Sequence, residues 1–242
     1  MAGRDHWFED IADHLGAAYD RYAHTKGTVQ EIDHVVTALD LKPGERVLDI
    51  GCGTGRHSLE LGRRGIEAHG IDVSERFIEI ARASADAASR GGSHPTFQRM
   101  DARSMDFERD FDAVICLCQG AFGMMTADGE DDAVVAGMAR ALRLGGAVAL
   151  SAFNAYFAVK YHSDAEFDAG TGVSHERTEV RSESGAPRTV DLWTGCYTPR
   201  ELRLLLASHG FVVDSISSVG PGDYGWAEAT VESPEFLAIA HL

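Results

Sequence analysis

The sequence predicts an α/β fold in which a mostly parallel sheet carries helices on both faces. Two observations carry that prediction: short β-branched apolar runs alternate with helix-period segments from Arg46 to Phe153, and the first run ends in a cluster of glycines. Strands separated by helical patterns require βαβ crossovers, and crossovers place helices on the two faces. At 242 residues with 44% hydrophobic content, the chain is long enough for one sizeable core, so one domain with an insertion is expected.

The elements follow in chain order. Between residues 5 and 28, Trp7, Phe8, Ile11, Leu15, Tyr19 and Tyr22 recur at three- to four-residue intervals, the stripe of an amphipathic helix. His24, Thr25, Lys26 and Gly27 form a polar hinge after it. Such a stripe either packs permanently or covers a site, and residues 1–40 are read as a helical lid. After the turn Lys42-Pro43-Gly44, RVLDI is a buried strand. HSLELGRRG is a short helix stopped by Gly65, EAHGID is a second strand, and Ser74 caps the helix ERFIEIARASADAAS. TFQRMD, FDAVICLC and GAVALSAF read as further strands, with the helix DDAVVAGMARAL before the last of them.

The alternation stops after Phe153. Residues 154–197 are polar, and VSHERTEVRSESGAPRTVDLWTG reads as period-2 strands around Ser184-Gly185-Ala186-Pro187, an antiparallel insertion. A helix then opens with Thr198 as N-cap, Pro199 at its first position and Glu201 completing a capping box, and Gly210 stops it. FVVDSIS and EFLAIAHL supply two closing strands, so residues 198–242 rejoin the core of residues 41–153.

Charge narrows the function classes. The net charge is −16, with 38 acidic residues against 22 Lys plus Arg, so a nucleic acid or an anionic membrane would meet repulsion. The four cysteines fit no zinc spacing; Cys116 and Cys118 alternate along a strand, but two thiolates make a poor metal site, and no metal is expected. The opening MAGRDHWFED has no signal-peptide pattern and no apolar run reaches the length of a membrane span. A soluble cytoplasmic protein, monomer or homodimer, is expected.

The stretch VLDIGCGTGRH then asks what its glycines hold. A strand that ends in glycines and opens a helix presents backbone N–H groups to a ligand with no side chains in the way, which fits a nucleotide-like cofactor. Asp49, Gly51, Gly53 and Gly55 supply the loop, and Asp72 stands 21 positions after Gly51, placed to accept from ribose hydroxyls. A dinucleotide fingerprint needs G-x-G-x-x-G, whereas the third position after Gly53 is Arg56. A nicotinamide-dependent oxidoreductase is disfavoured by that register, and a non-catalytic binding scaffold stays open as a second alternative.

The chain resembles the class I S-adenosylmethionine-dependent methyltransferases. VLDIGCGTGRH is similar to the family's first motif, GIDVS to its second, MDA (Met100, Asp101, Ala102) to its third, FDAVICLCQG to its fourth and LRLGGAVAL to its post-motif strand, over roughly residues 30 to 153. The segment AYDRYAHTKGTVQEIDHV ahead of them resembles the small-molecule branch. The resemblance implies a Rossmann-like seven-stranded sheet in the order 3-2-1-4-5-7-6, with S-adenosylmethionine at the switch point and a small-molecule acceptor beside it.

It also implies site roles. Gly51 and Gly53 would lie against the methionine moiety and ribose, Asp72 would bind the ribose hydroxyls, Asp101 would accept from the adenine amino group with Ala102 beside the ring, and Asp49, Cys52 and Val73 would be further cofactor-binding residues. Leu117 to Gln119 would offer a carbonyl to the cofactor's ammonium. An aromatic residue of the lid, Tyr22 or Tyr19, would cover the cofactor. Methyl transfer is an in-line displacement on an activated donor, so alignment and dryness do most of the work and a dedicated base is optional. Tyr22, His24 and His162 are the catalytic candidates, with Tyr161, His175, Trp193 and Tyr197 as further residues of the acceptor pocket.

Overall fold

A computed structural model of the chain describes residues 6–22, 25–88, 92–118, 120–124 and 130–242. Five apolar runs form parallel strands: β1 (Arg46–Ile50), β2 (Glu67–Asp72), β3 (Thr96–Arg99), β4 (Phe111–Cys116) and β5 (Leu142–Asn154), laid side by side as β3-β2-β1-β4-β5. Further strands continue the sheet, β10 (Glu235–His241) antiparallel to β5 and β9 (Val212–Val219) antiparallel to β10. Counted along the chain without the insertion, the order is 3-2-1-4-5-7-6, as the resemblance implies. The strand order reverses between β1 and β4, and a crevice opens at that edge.

Successive residues of the central strands feed opposite layers, because side chains alternate with period two. Val47, Ala113 and Ile115 pack with Ile32 and Val35 of α2 (Thr28–Ala38) and Leu61 of α3 (Arg56–Arg63). Leu48, Val114 and Cys116 pack with Val134 and Met138 of α5 (Glu130–Ala141) and Leu202 and Leu206 of α7 (Pro199–Ser208). Both faces are therefore dry, and each fully buried Leu or Ile contributes roughly 1.5–3 kcal/mol. α4 (Glu75–Ala87) starts at Ser74, whose Oγ accepts from Phe77 N at 3.2 Å. The start of α7 carries the reciprocal cap: Thr198 Oγ1 accepts from Glu201 N at 3.2 Å while Glu201 accepts from Thr198 N at 2.7 Å.

The chain between β5 and α7 forms a hairpin of β7 (Val173–Arg181) and β8 (Pro187–Tyr197), flanked by the short β6 (Glu166–Asp168). β8 also joins β5 through Phe153↔Cys196 and Asn154↔Tyr197, so the hairpin grows out of the main sheet. A helix that strand periodicity hid, α6 (Ala155–Tyr161), opens this segment because Asn154 Oδ1 accepts from Tyr156 N at 2.9 Å.

Two expectations are corrected. The N-terminal stripe is not one helix: α1 (Glu9–Leu15) gives way to a 3-10 turn over Gly16–Arg21. Gly16 sits at φ +49, and a Cβ there would overlap the Glu183 carboxylate of the hairpin tip, which also accepts from Ala17 N at 2.8 Å. The hairpin thus breaks the helix by docking on it. Ile11 and Leu15 are buried against Val180 and Val190. The second correction concerns Cys118, which is not in a strand facing with Cys116. β4 ends at Cys116, Cys118 turns back at φ +52, and the two thiols lie in different layers.

Candidate active site

The loop after β1 carries Gly51, Gly53 and Gly55 at φ +68, +55 and +86. A Cβ at Gly51 would overlap the backbone of Gly120 in the turn after β4, so that glycine lets two loops touch. At Gly53 the only neighbour a Cβ would meet among the described residues is the Tyr19 ring, at 3.6 Å, which leaves an open cradle of backbone. Asp72, at the end of β2, ties this loop to the next one: Oδ2 accepts from Gly53 N at 2.9 Å and Oδ1 from Ser74 N at 2.8 Å. Burial pushes the Asp72 carboxyl up to about 6, against the pull of those two N–H groups. Asp49 is buried behind the loop, its Oδ2 accepting from Ser58 Oγ at 2.7 Å, and burial pushes its carboxyl up as well.

A narrow cleft of about 40 Å³ runs from Gly51 along Asp72 and Val73 to Asp101 and Ala102. Its lining combines the apolar Ile71, Met100 and Val134 with the carboxylates of Asp72, Asp101, Glu130 and Asp131 and the Arg103 guanidinium, a mixture that suits the ring and sugar of a nucleoside. Asp101 caps a 3-10 turn through Arg103 N and is held bidentate by the Arg103 guanidinium. Burial pushes that carboxyl up, but the Arg103 bonds outweigh it and leave it below the ordinary value. Cys52 turns away from the cleft into a core cluster with Ile78 and Phe97. The Leu117 carbonyl accepts from Gly120 N at 3.1 Å. Gln119 and His24 lie outside the described residues. Over the cleft sit His6, whose Nε2 is 3.1 Å from the Met124 carbonyl oxygen, and Phe8.

Phe8 and Met124 also line a second cavity of about 400 Å³ on the other side of the lid. Tyr19 and Tyr22 both face it, but they differ: the Tyr19 ring lies over Gly53 and packs on Phe77, whereas the Tyr22 hydroxyl accepts from Arg181 N at 3.2 Å. Trp193 forms another wall, stacked on His175, whose Nε2 is 3.0 Å from Asp191 Oδ1. Three of the sequence candidates stand apart. His162 lies against Phe153 and Phe157, Tyr161 bonds to Glu232, and Tyr197 donates to Asp131 Oδ2 at 2.5 Å; none of them lines either cavity. Burial pushes the Asp131 carboxyl up to about 6, against Tyr197 O–H and Gly123 N–H.

Sequence reasoning missed a buried polar cluster beneath this cavity. Glu31 of α2, wholly buried, accepts from Arg56 Nη1 at 2.5 Å, His57 Nε2 lies 2.8 Å from it, and Gly222 N donates at 2.9 Å. Burial alone would raise Glu31, yet the His57 and Arg56 bonds bring its carboxyl down to about 2. Arg56 also donates to Cys118 Sγ at 2.9 Å. The ligating atoms of Glu31, His57 and Cys118 lie within 4.8 Å of one another, but the Arg56 guanidinium already supplies the cation among them. Glu235 completes the group as a lining residue of the cavity. Only a helix-period reading of TVQEIDHV that turned Glu31 inward would have signalled any of this.

The sheet order and the glycine cradle define a Rossmann-like fold of the methyltransferase type. Residues 47–146 match a family model described as a methyltransferase domain, in keeping with the resemblance to the class I S-adenosylmethionine-dependent methyltransferases. Over 94 residues it is 35% identical to the magnesium-protoporphyrin O-methyltransferase of Synechocystis sp., covering 38% of this chain and 40% of that protein. Over 130 residues it is 33% identical to the ubiquinone biosynthesis O-methyltransferase of Dechloromonas aromatica, covering 51% and 50%. The chain thus spans about half the length, or less, of the curated relatives it matches. Among solved structures, the CcbJ methyltransferase of Streptomyces caelestis superposes with a TM-score of 0.75 at 18% identity, covering 98% of this chain and 96% of that one, a likeness of fold. Among the described residues, no helix is long and apolar enough to cross a membrane.

Proposed function

We propose that the chain transfers the methyl group of S-adenosylmethionine to a small-molecule acceptor by in-line displacement. The observation that carries this reading is the meeting of the nucleoside-shaped cleft and the larger aromatic cavity at a shared wall, Phe8 and Met124. Bound in the cleft, the donor supplies a methyl group already activated by its sulfonium.

The residues divide the remaining work. Asp72 accepts from the ribose hydroxyls with the oxygen lone pairs that the Gly53 and Ser74 amides leave over. Gly51 and Gly53 let the backbone approach the sugar and the methionine chain, and Val73 and Ala102 sandwich the adenine, with Asp101 receiving its amino group. The Leu117 carbonyl faces the donor's ammonium. Tyr19 closes over Gly53 as the aromatic cover, and the lid keeps water from the reacting atoms, which strengthens every polar contact inside. The acceptor enters the aromatic cavity from the hairpin side. The acidic surface favours a small molecule over a nucleic acid, and a soluble cytoplasmic protein, monomer or homodimer, fits the composition.

Calorimetry with S-adenosylmethionine, S-adenosylhomocysteine and NAD tests the reading. Binding of the first two and not the third is expected. No binding by any of them would leave a scaffold, and NAD alone would restore the oxidoreductase.

A further inference from the structure

The second cavity holds a carboxyl that its aromatic walls do not need. Glu235 opens β10 and is 5% exposed, and its Oε2 has no hydrogen-bond partner among the described residues. A buried polar atom left unpaired costs stability, so it is retained against a folding penalty. β10 runs antiparallel to β5, which puts its first residue beside Phe153 near the end of β5, and like Cys118 beyond β4 it lines the cavity that Tyr19 closes.

The groups around Glu235 are charged but otherwise engaged. From α2 and α3 come Glu31 and Arg56, joined to each other, and Arg56 also holds Cys118. The Cys118 thiol and Tyr224 hydroxyl lie 3.6 Å apart and feel the Glu235 charge. Across the cavity β7 offers Glu176 and Glu179, the latter paired with Arg181. Among the described residues, three glutamates line the space and no Lys, Arg or His does, while Trp7, Tyr19, Tyr22 and Trp193 present aromatic rings. Aromatic faces with carboxylates attract a cation and repel an anion.

We propose that the acceptor is an amine, held as its ammonium among these rings and carboxylates, and that Glu235 accepts its proton. The proposal rests on the methyl-transfer reading and gives that reading a substrate class. The ammonium N–H passes its proton to Glu235 Oε2, which frees the nitrogen lone pair. That pair forms the new bond to the methyl carbon as the carbon–sulfur bond breaks; the bonding electrons stay on sulfur, leaving a neutral thioether and a positively charged product nitrogen. Glu235 then loses its proton to solvent. Burial, with a smaller push from Glu31 and opposition from Arg56, raises the Glu235 carboxyl to about 7, so it both gains and loses a proton near neutral pH.

The test uses the whole protein saturated with S-adenosylhomocysteine and three probes that share a phenyl ring: phenethylamine, 2-phenylethanol and 3-phenylpropanoate. Binding is read by calorimetry. At pH 8 the amine is expected to bind at least about tenfold more tightly than the alcohol, with the carboxylate weakest. Lowering the pH to 6 protonates most of Glu235 and should shrink that preference by about tenfold. In Glu235→Gln the preference and its pH dependence should both vanish while S-adenosylhomocysteine binds as before. Equal or tighter binding of the alcohol or carboxylate, or a Gln variant that keeps the pH-dependent preference, overturns the proposal and leaves methyl transfer standing. Should the variant not fold, the wild-type profile from pH 6 to pH 8 decides alone. A protein that binds no S-adenosylhomocysteine removes the methyl-transfer reading and the proposal with it.

Discussion

The cleft beside Asp72 and the larger aromatic cavity share a wall at Phe8 and Met124, yet they are built in opposite ways. Apart from His6 and Phe8 above it, the cleft is made from residues between Gly51 and Val134, and backbone amides fix it: Gly53 N and Ser74 N donate to the Asp72 carboxylate, and Met100 N to the Asp72 carbonyl. The cavity is assembled from α1, the β7–β8 hairpin and the start of β10, with α1 and the hairpin far apart in the chain and joined through apolar side chains, Ile11 and Leu15 against Val180 and Val190. A fixed frame suits a donor whose shape never changes. A wall of separable parts suits a pocket whose occupant has to be chosen.

That contrast can be broken by experiment. The largest effect is expected from deleting residues 1–24, which removes one whole wall of the cavity but no strand of the sheet. The truncated protein should stay folded and bind S-adenosylmethionine more weakly, with turnover down by at least about a hundredfold through lost alignment and dryness. A chain that fails to fold in circular dichroism would make the segment part of the frame. Gly53→Val comes next. At φ +55 a branched residue carries about 1–2 kcal/mol of backbone strain, and its side chain fills the cradle under Tyr19, so titration should find S-adenosylhomocysteine binding lost. Normal binding there would mean that the cradle holds nothing.

Asp72→Ala should weaken S-adenosylhomocysteine by roughly 1.5–3 kcal/mol, the range for hydrogen bonds to a charged group. An unchanged affinity would take Asp72 out of the site. A pH effect of similar size belongs to the cavity. Glu235 holds its proton to about 7 in the fold against 4.5 when unfolded, so its contribution is fully present below pH 4.5 and is lost as pH rises through 7. Glu235→Gln should therefore be more stable than wild type at pH 8 by on the order of 1–3 kcal/mol, and equal to it near pH 4, in thermal melts. The smallest effect separates the two tyrosines. Tyr22→Phe loses one bond to Arg181 N, about 0.5–1.5 kcal/mol of stability, with no change in S-adenosylhomocysteine affinity; Tyr19→Ala should lower that affinity. The reverse result would put Tyr22 over the donor.

The same contrast decides what the sequence reveals. Strand alternation, the capping box at Thr198 and the Gly51 and Asp72 loops are local patterns, and a local pattern survives in one dimension. The break at Gly16 does not, since it is forced by Glu183 at a hairpin tip far along the chain. Helix α6 was hidden because only Asn154 signals its start. His162 reads as an acceptor-side base because histidine commonly moves protons, but its environment is two phenylalanine rings. Glu235 reads as a polar residue ahead of an apolar strand, and its burial depends on α2, α3 and β5 meeting around it.

The wall formed by Phe8 and Met124 has a thermodynamic consequence. Phe8 and Met124 face both spaces, so a ligand that fills the cleft bears on the wall of its neighbour. Whatever the donor does to the partition changes the affinity of the second occupant, and linkage requires the second occupant to change donor affinity by the same factor. The two half-reactions of binding are therefore not independent events. Changing that one phenylalanine or that one methionine alters both affinities at once.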